Sequence, residues 1–175
     1  PPPAAPDALR RRAERCELRV LEVLQWQFEV PTVSTWLTAF CVRLNAATNG
    51  AFDQSIDWIS QQGMELAKLV LCRTNLYDLP PRSFALGILC HGLVAARLLP
   101  AEAFRPDGEP DAARWAQAFK SIPWCPDLEC ELPHWAQQLV LERAQLATGA
   151  LIEDLQDEAR RFSELAGHAW QGYGA

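Results

Sequence analysis

The rest of this chain is predicted to be arranged around residues 53–97, which read DQSIDWISQQGMELAKLVLCRTNLYDLPPRSFALGILCHGLVAAR. In the first half, apolar or small residues recur at steps of three and four, the spacing of one helix face. They are Ile56, Ile59, Gly63, Leu66, Ala67 and Val70. Asp53 suits the N-cap position, and we expect the helix to end near Thr74. Its last turns are apolar except for Lys68, so we predict a central helix that other helices enclose.

A turn at residues 76–81, Leu-Tyr-Asp-Leu-Pro-Pro, leads into a second helix. From Ser83 to Ala96 the only strongly polar side chain is His91, so this helix is also predicted to be largely buried. The positions expected to be most buried are Ile59, Leu66, Ala67, Val70, Leu89 and Leu93.

Two helices are predicted before the central one. An amphipathic helix spans Asp7 to Phe28, and Pro31 ends it. Its apolar face is Ala13, Cys16, Val20, Val23, Leu24 and Phe28. The next helix begins at Thr32 or Ser34, and residues 45–50 supply its stop. Its apolar face is Val33, Trp36, Leu37, Phe40, Cys41 and Leu44.

The last third of the chain is less regular. A turn-rich loop at residues 105–110 precedes a short predicted helix with Trp115 and Phe119 on one face. Three prolines then interrupt residues 121–133. A long helix is predicted from His134 to Ala169, with Gly149 as a point of division. Its apolar stripe is Val140, Ala144, Ala147, Leu151, Leu155, Ala159, Phe162 and Ala166, and its acidic, solvated face is Glu153, Asp154, Asp157, Glu158 and Glu164. No segment shows a strand pattern.

Composition limits the possible classes of protein. With 175 residues and 49% hydrophobic content, the chain can bury a core without disulfides. The formal net charge of −6 argues against binding nucleic acid through phosphate neutralisation, and the basic cluster at residues 10–15 is interpreted as a solvated helix face. Charged residues and His91 interrupt the longest apolar run, so no membrane span is predicted. The proline-rich residues 1–6 read as a linker, and we expect a fragment of a longer protein.

No catalytic, cofactor or metal site is predicted. Of the six cysteines, Cys16, Cys41, Cys72 and Cys90 fall on or beside apolar helix faces, which indicates free thiols in a reducing compartment. Cys125, Cys130 and His134 have a long first spacing and no fourth ligand nearby, so we expect no zinc. Cys90 and His91 are neighbours on a helix and point about 100° apart, so they do not form a nucleophile and base. We expect His91 to be buried and hydrogen-bonded to a carbonyl.

Six of the seven tryptophans divide into two groups. Trp26, Trp36 and Trp58 are interpreted as core or core-edge residues. Aromatic residues in irregular or terminal segments either cap a domain or anchor a partner. The candidate partner-binding residues are Trp124, Trp135 and Trp170.

Part of the chain resembles a known family. Residues 17–28, ELRVLEVLQWQF, followed by Pro31-Thr32 and Trp36-Leu37, resemble the start of the second cyclin-box repeat. Residues 65–83, from Glu-Leu-Ala-Lys through Leu-Tyr-Asp to Pro-Pro-Arg-Ser, resemble its continuation. The resemblance covers roughly residues 15–99. It implies an all-α, cyclin-like five-helix domain around a central third helix, to which a long C-terminal helix is added.

The resemblance also implies an organisation and a function. The chain divides into a linker (1–6), a cyclin-like helical domain (7–120), a proline-rich connection (121–133) and a C-terminal helical extension (134–175). The implied role is a non-catalytic, protein-binding part of a cyclin that regulates a cyclin-dependent kinase and the cell cycle, in the nucleus or cytoplasm. In cyclins the kinase-contacting Lys and Glu belong to the first repeat and are not found in residues 1–175, so kinase regulation is implied only if a first repeat lies upstream. The alternative is a scaffold subunit in a larger assembly, without kinase activation.

The predicted helical face at residues 33–44 can be tested at its largest side chain. We expect Trp36→Ala to lower the free energy of unfolding by about 3 to 5 kcal/mol, because it removes a large apolar side chain from the core. Urea unfolding followed by circular dichroism measures the change. A loss below about 1 kcal/mol is typical of a surface position and would contradict the assignment.

Overall fold

The described part of the protein is all-α. A computed structural model describes residues 6–23, 31–72, 79–104 and 132–171, without the side chains of residues 6–9, 11, 101 and 167–171. Within these ranges there are α-helices and one short 3-10 helix, and no strand, which confirms the predicted all-α class. The helices are α1 (Pro6–Val23), α2 (Val33–Ala47), α3 (Asp53–Leu71), α4 (Pro81–Ala95), the 3-10 helix Ala101–Phe104, α5 (His134–Thr148) and α6 (Ile152–Gln171). The predicted short helix around Trp115 lies outside the described residues.

Helix α1 belongs to a separate compact unit, residues 1–30, and is described by itself. It begins near the predicted start, and residues 24–30 lie outside the described ranges. Arg10 pairs with Glu14 one turn later, at 3.0 Å between Nε and Oε1. Side chains from Arg12 to Val20 are exposed, including Cys16 on the predicted apolar face.

Helix α2 forms as its sequence predicts. Thr32 is the N-cap: its Oγ1 accepts a hydrogen bond from the Thr35 backbone N–H at 3.2 Å, and the Thr35 hydroxyl accepts one from the Thr32 N–H. Most of the predicted apolar face is buried, but Trp36 is half-buried and lies 5.7 Å from the Phe40 ring. The helix stops before Asn49 and Gly50, because both have positive φ.

Helix α3 buries every residue of its predicted apolar face. It begins one residue earlier than expected, with Phe52 at the N-cap position, and Asp53 Oδ1 accepts a bond from the Gln54 N–H. It ends at Leu71 rather than Thr74. The opposite face is exposed and mostly charged, at Asp53, Asp57, Glu65 and Lys68. Charges spaced three or four residues apart make a solvated stripe, so this helix is not enclosed on all sides.

The enclosed helix is α4. Every residue from Phe84 to Cys90 is buried, and the helix packs against α2, α3 and α6. Pro81 occupies its first turn, where a missing N–H costs nothing. Helix α4 has no charged stripe like that of α3 and packs against three other helices, so it is the central helix among those described in residues 31–171. The position predicted for the central helix is therefore taken by its successor in the chain.

The predicted long C-terminal helix is two helices. Gly149 is left-handed, with φ of +65°, and it ends α5 three residues before α6 begins. The break changes the phase of the apolar stripe, so Leu151 is 68% exposed, whereas the other predicted stripe residues are buried. Glu158 also differs from the predicted solvated face, because it turns inward and is half-buried, with Oε2 fully buried. The other four acidic residues of that face are exposed.

The tightest approach between helices is at Gly87 of α4. A Cβ there would collide with the Phe162 side chain and lie 3.0 Å from the Glu158 carbonyl oxygen. We expect Gly87→Ala to lower the free energy of unfolding by about 1 to 3 kcal/mol through overpacking, as measured by urea denaturation. Gly63→Ala is the matched control, since its Cβ would meet only the movable side-chain ends of Leu37 and Ile88. Equal losses for both variants would contradict a closer approach at Gly87 than at Gly63.

Candidate protein-binding surface

His91 and Cys90 hold α4 against α6. His91 Nε2 lies 3.1 Å from the Ala159 carbonyl oxygen and 3.1 Å from Ser163 Oγ. A carbonyl only accepts, so the bond to Ala159 places a proton on Nε2. The predicted bond from a buried histidine to a carbonyl is confirmed, although His91 is half-buried rather than fully enclosed. Cys90 Sγ lies 3.7 Å from the Leu155 carbonyl oxygen.

Neither buried thiol is poised for chemistry. Burial raises the pKa of the Cys90 thiol far above its ordinary value; a backbone hydrogen bond offsets part of this rise, and the Glu158 carboxylate adds to it. Burial likewise raises the pKa of Cys41 from 9.0 to about 12, although a hydrogen bond with Ser60 favours the thiolate. Because the thiolate is the nucleophile, both side chains act as small apolar core residues.

That Cys125, Cys130 and His134 bind no zinc stays a prediction. His134 is exposed in the first turn of α5. Cys125 and Cys130 lie outside the described residues. Across the described ranges, no group of three His, Cys, Asp or Glu side chains is arranged to hold a metal ion.

The structure describes the side chain of one of the three candidate tryptophans. Trp135 is 72% exposed at the second position of α5. Trp170 belongs to α6, but its side chain is not described, and Trp124 lies outside the described ranges. Trp135 is therefore the one whose side chain the structure places in solvent.

Two other large apolar side chains are exposed on α5 and on α2. On α5, Leu146 is 67% exposed, and it shares a face with Trp135 because residues 135, 138, 142 and 146 follow the helical repeat. On α2, which packs against α5, Val42 is 63% exposed. In residues 31–171, as far as they are described, the only other large exposed apolar residue is Leu151, just beyond α5.

The outer faces of the helices differ sharply in charge. The exposed charged residues of α3 and α6 are Asp53, Asp57, Glu65, Lys68, Glu153, Asp154, Asp157, Arg160, Arg161 and Glu164. On α2 and α5 together, His134 aside, they are Arg43 and Glu142. We call the exposed sides of α2 and α5 the α2–α5 face. It combines low charge with three exposed apolar side chains.

Arg82, near the start of α4, contacts the end of α5 and lies near a side chain of α2. Its guanidinium donates to the Thr148 carbonyl oxygen at 2.9 Å and lies 5.9 Å from the Trp36 ring centroid. The start of α2 and the end of α5 therefore meet at one place. The two helices also pack together. A cation at the C-terminal carbonyls of α5 also favours the helix dipole.

Sequence reasoning identified Trp135 but missed Val42 and Leu146. Both are apolar residues out of phase with the buried stripe of their own helix. That mismatch is the signal that could have found them. Using this signal requires helix phases more accurate than a single amphipathic pattern provides. Val42, for example, is exposed although the adjoining Cys41 is buried.

Among the described helices, none combines the length and apolar character that crossing a bilayer requires. Comparison with protein-family models, with curated proteins and with solved structures finds no match for this chain.

Thiol labelling tests the assignment of the cysteines. We expect a maleimide at neutral pH to modify Cys16 and Cys72, which are exposed, much faster than Cys41 and Cys90, which are buried and protonated. Mass spectrometry of peptides gives the rate at each site, and the same reaction in urea should remove the difference. Rapid native labelling of Cys90 would contradict its enclosure between α4 and α6.

Proposed function

We propose that this chain is a non-catalytic protein-binding domain and that it binds its partner through the α2–α5 face. The observation that carries the proposal is the solvent exposure of Trp135, Leu146 and Val42 on the least charged side of the described helices. The cores of protein interfaces are depleted of charge and enriched in tryptophan. A surface formed by two packed helices is also rigid, so little ordering entropy is lost on binding.

The resemblance to cyclins makes a cyclin-dependent kinase the first candidate partner. The all-α architecture supports this proposal only at the level of fold class. Regulation of such a kinase, with a role in the cell cycle, also needs the Lys and Glu of a first cyclin repeat. An intracellular location, nuclear or cytoplasmic, is part of the same proposal, and the free thiols of Cys41, Cys72 and Cys90 are compatible with a reducing compartment.

The alternative partner is a larger assembly in which the domain serves as a structural subunit. The same face would serve this role. The two possibilities differ in whether the partner is a kinase whose activity changes on binding, and not in which residues make the contact.

The binding face is tested by affinity purification of the tagged full-length protein from its source, followed by binding measurements with the recombinant partner. We expect Trp135→Ala to weaken binding by about 30-fold or more, the effect of losing an interface anchor of about 2 kcal/mol. Leu146→Ala should weaken it several-fold.

Leu151→Ala is the matched control for Leu146→Ala. Both leucines are about equally exposed, at 68% and 67%, but Leu151 lies outside both helices of the face. Its substitution should leave binding unchanged. If Trp135→Ala and Leu146→Ala bind like wild type while remaining folded, the α2–α5 face is the wrong surface. A kinase in the eluate with altered activity supports the cyclin-like role, and a non-kinase complex supports the structural role.

A further inference from the structure

We infer that α1 pairs with α1 of a second copy of this chain, as a short, parallel, two-stranded coiled coil. The inference concerns α1 alone and does not depend on the choice of the α2–α5 face. A helix in a protein owes most of its stability to the packing of its apolar face. In α1, every described side chain except that of Leu21 is exposed, so its apolar face needs a cover.

The apolar residues of α1 repeat in the way that a coiled-coil seam requires. Ala13, Cys16, Val20 and Val23 are separated by three, four and three residues, which is the alternation of positions a and d in a heptad. With about 100° between successive residues, the four lie within an arc of about 80° around the helix. Leu9 continues the same spacing towards the start of the helix. We call the line formed by these five residues the α1 seam.

Charged residues flank the seam, and their signs favour a parallel second copy. In a parallel pair, position g of one helix faces position e of the next heptad in the other helix. These positions are Arg12 and Glu17, so the two copies form two equivalent ion pairs. In an antiparallel pair, position g faces position g, and Arg12 would meet an arginine of the other copy, Arg12 or Arg19. The flanks of the seam are therefore complementary to themselves about a two-fold axis parallel to the helix, as a symmetric dimer requires.

Both charges are available for this contact. Arg12 and Glu17 are exposed, and neither has an ion pair with another described residue. Arg10, in contrast, is paired with Glu14 of its own helix, at 3.0 Å. A second copy can therefore pair with Arg12 and Glu17 without breaking an ion pair that the single chain already has.

Cys16 allows the direction of the pair to be detected. In a parallel dimer each residue at position d faces the same residue of the other copy. Helix axes about 10 Å apart, with Cα atoms about 2.3 Å from each axis, leave about 5 Å between two Cα atoms that point at each other. A disulfide needs a Cα separation of about 4.4 to 6.8 Å. The two Cys16 thiols of a parallel dimer are therefore close enough to be joined directly.

The length of the seam predicts a weak dimer. Between Leu9 and Val23 it covers two heptads, about 21 Å, whereas coiled coils usually continue over at least about three or four heptads. Ala13 and Cys16 also bury less apolar surface than leucine would bury at the same positions. We therefore expect monomers at about 10 μM, with Cys16 open to labelling, and dimers at roughly 0.5 mM.

Sedimentation velocity of the full chain, from about 10 μM to roughly 0.5 mM, tests the inference. Wild type should change from monomer to dimer as its concentration rises. At low ionic strength Arg12→Glu and Glu17→Arg should each weaken the dimer by about fivefold or more, because each places like charges together twice. The double variant, and an equimolar mixture of the two single variants, should regain the dimer. Arg15 and Glu22 lie about 120 to 140° around the helix from the centre of the seam, so the matched reversals Arg15→Glu and Glu22→Arg should have no effect.

Oxidative cross-linking tests the parallel direction. At concentrations where the dimer is populated, diamide should join Cys16 of one copy to Cys16 of the other. The two thiols give two protons and two electrons to diamide as the S–S bond forms. Cys72 is also exposed and is the reference for random collision, so we expect its cross-link to form much more slowly. Mass spectrometry of the linked peptides measures both products, and Arg12→Glu should lower the yield of the Cys16 product.

These measurements can overturn the inference in separate ways. A wild type that stays monomeric over the whole range overturns it, and so does a dimer that neither charge reversal weakens. A dimer that both reversals weaken but that the mixture does not regain contradicts the pairing of Arg12 with Glu17. A dimer in which Cys16 cross-links no faster than Cys72 contradicts the parallel seam. The proposed function is tested separately, because Trp135→Ala should weaken partner binding whether or not α1 pairs.

Discussion

The close approach of α4 and α6 is the constraint on which the described core depends. At Gly87 there is no room for a Cβ, because Phe162 lies directly against the helix backbone. Phe162 also packs edge-on against Phe84, with ring centroids 5.1 Å apart. His91 adds its bond to the Ala159 carbonyl oxygen on the same side. Together these contacts cover one side of α4, while α2 and α3 cover others.

This arrangement explains why the outer helices can differ so much in surface character. Helices α3 and α6 each bury one face against α4 and present charges to solvent, as an amphipathic helix usually does. Helices α2 and α5 bury their inner faces equally well, but their outer faces carry few charges. Core packing does not require those outer residues to be apolar, so their character calls for a different explanation. One explanation is that another protein covers this surface for part of the time.

The sequence predicted the elements better than their arrangement. Helix α2 was predictable almost to the residue, because Thr32 provides a capping side chain and the apolar positions follow one period from Val33 to Leu44. It was harder to predict which helix the others enclose. A single pattern shows which face of α3 is apolar, but the choice of α4 as the enclosed helix depends on the inward placement of Phe162, far away in the chain. The exposure of Leu151 likewise depends on where Gly149 interrupts the helix.

The distance in sequence between α4 and α6 has a consequence for how the protein is made. His91 and Ser163 are in contact although they are 72 residues apart. At a synthesis rate of about 5 to 20 residues per second, roughly 4 to 14 seconds separate their appearance on the ribosome. During that interval α4, the most apolar helix described, lacks the cover that α6 later gives it. The nascent chain therefore passes through a stage at which a chaperone has a binding site that the finished protein no longer offers.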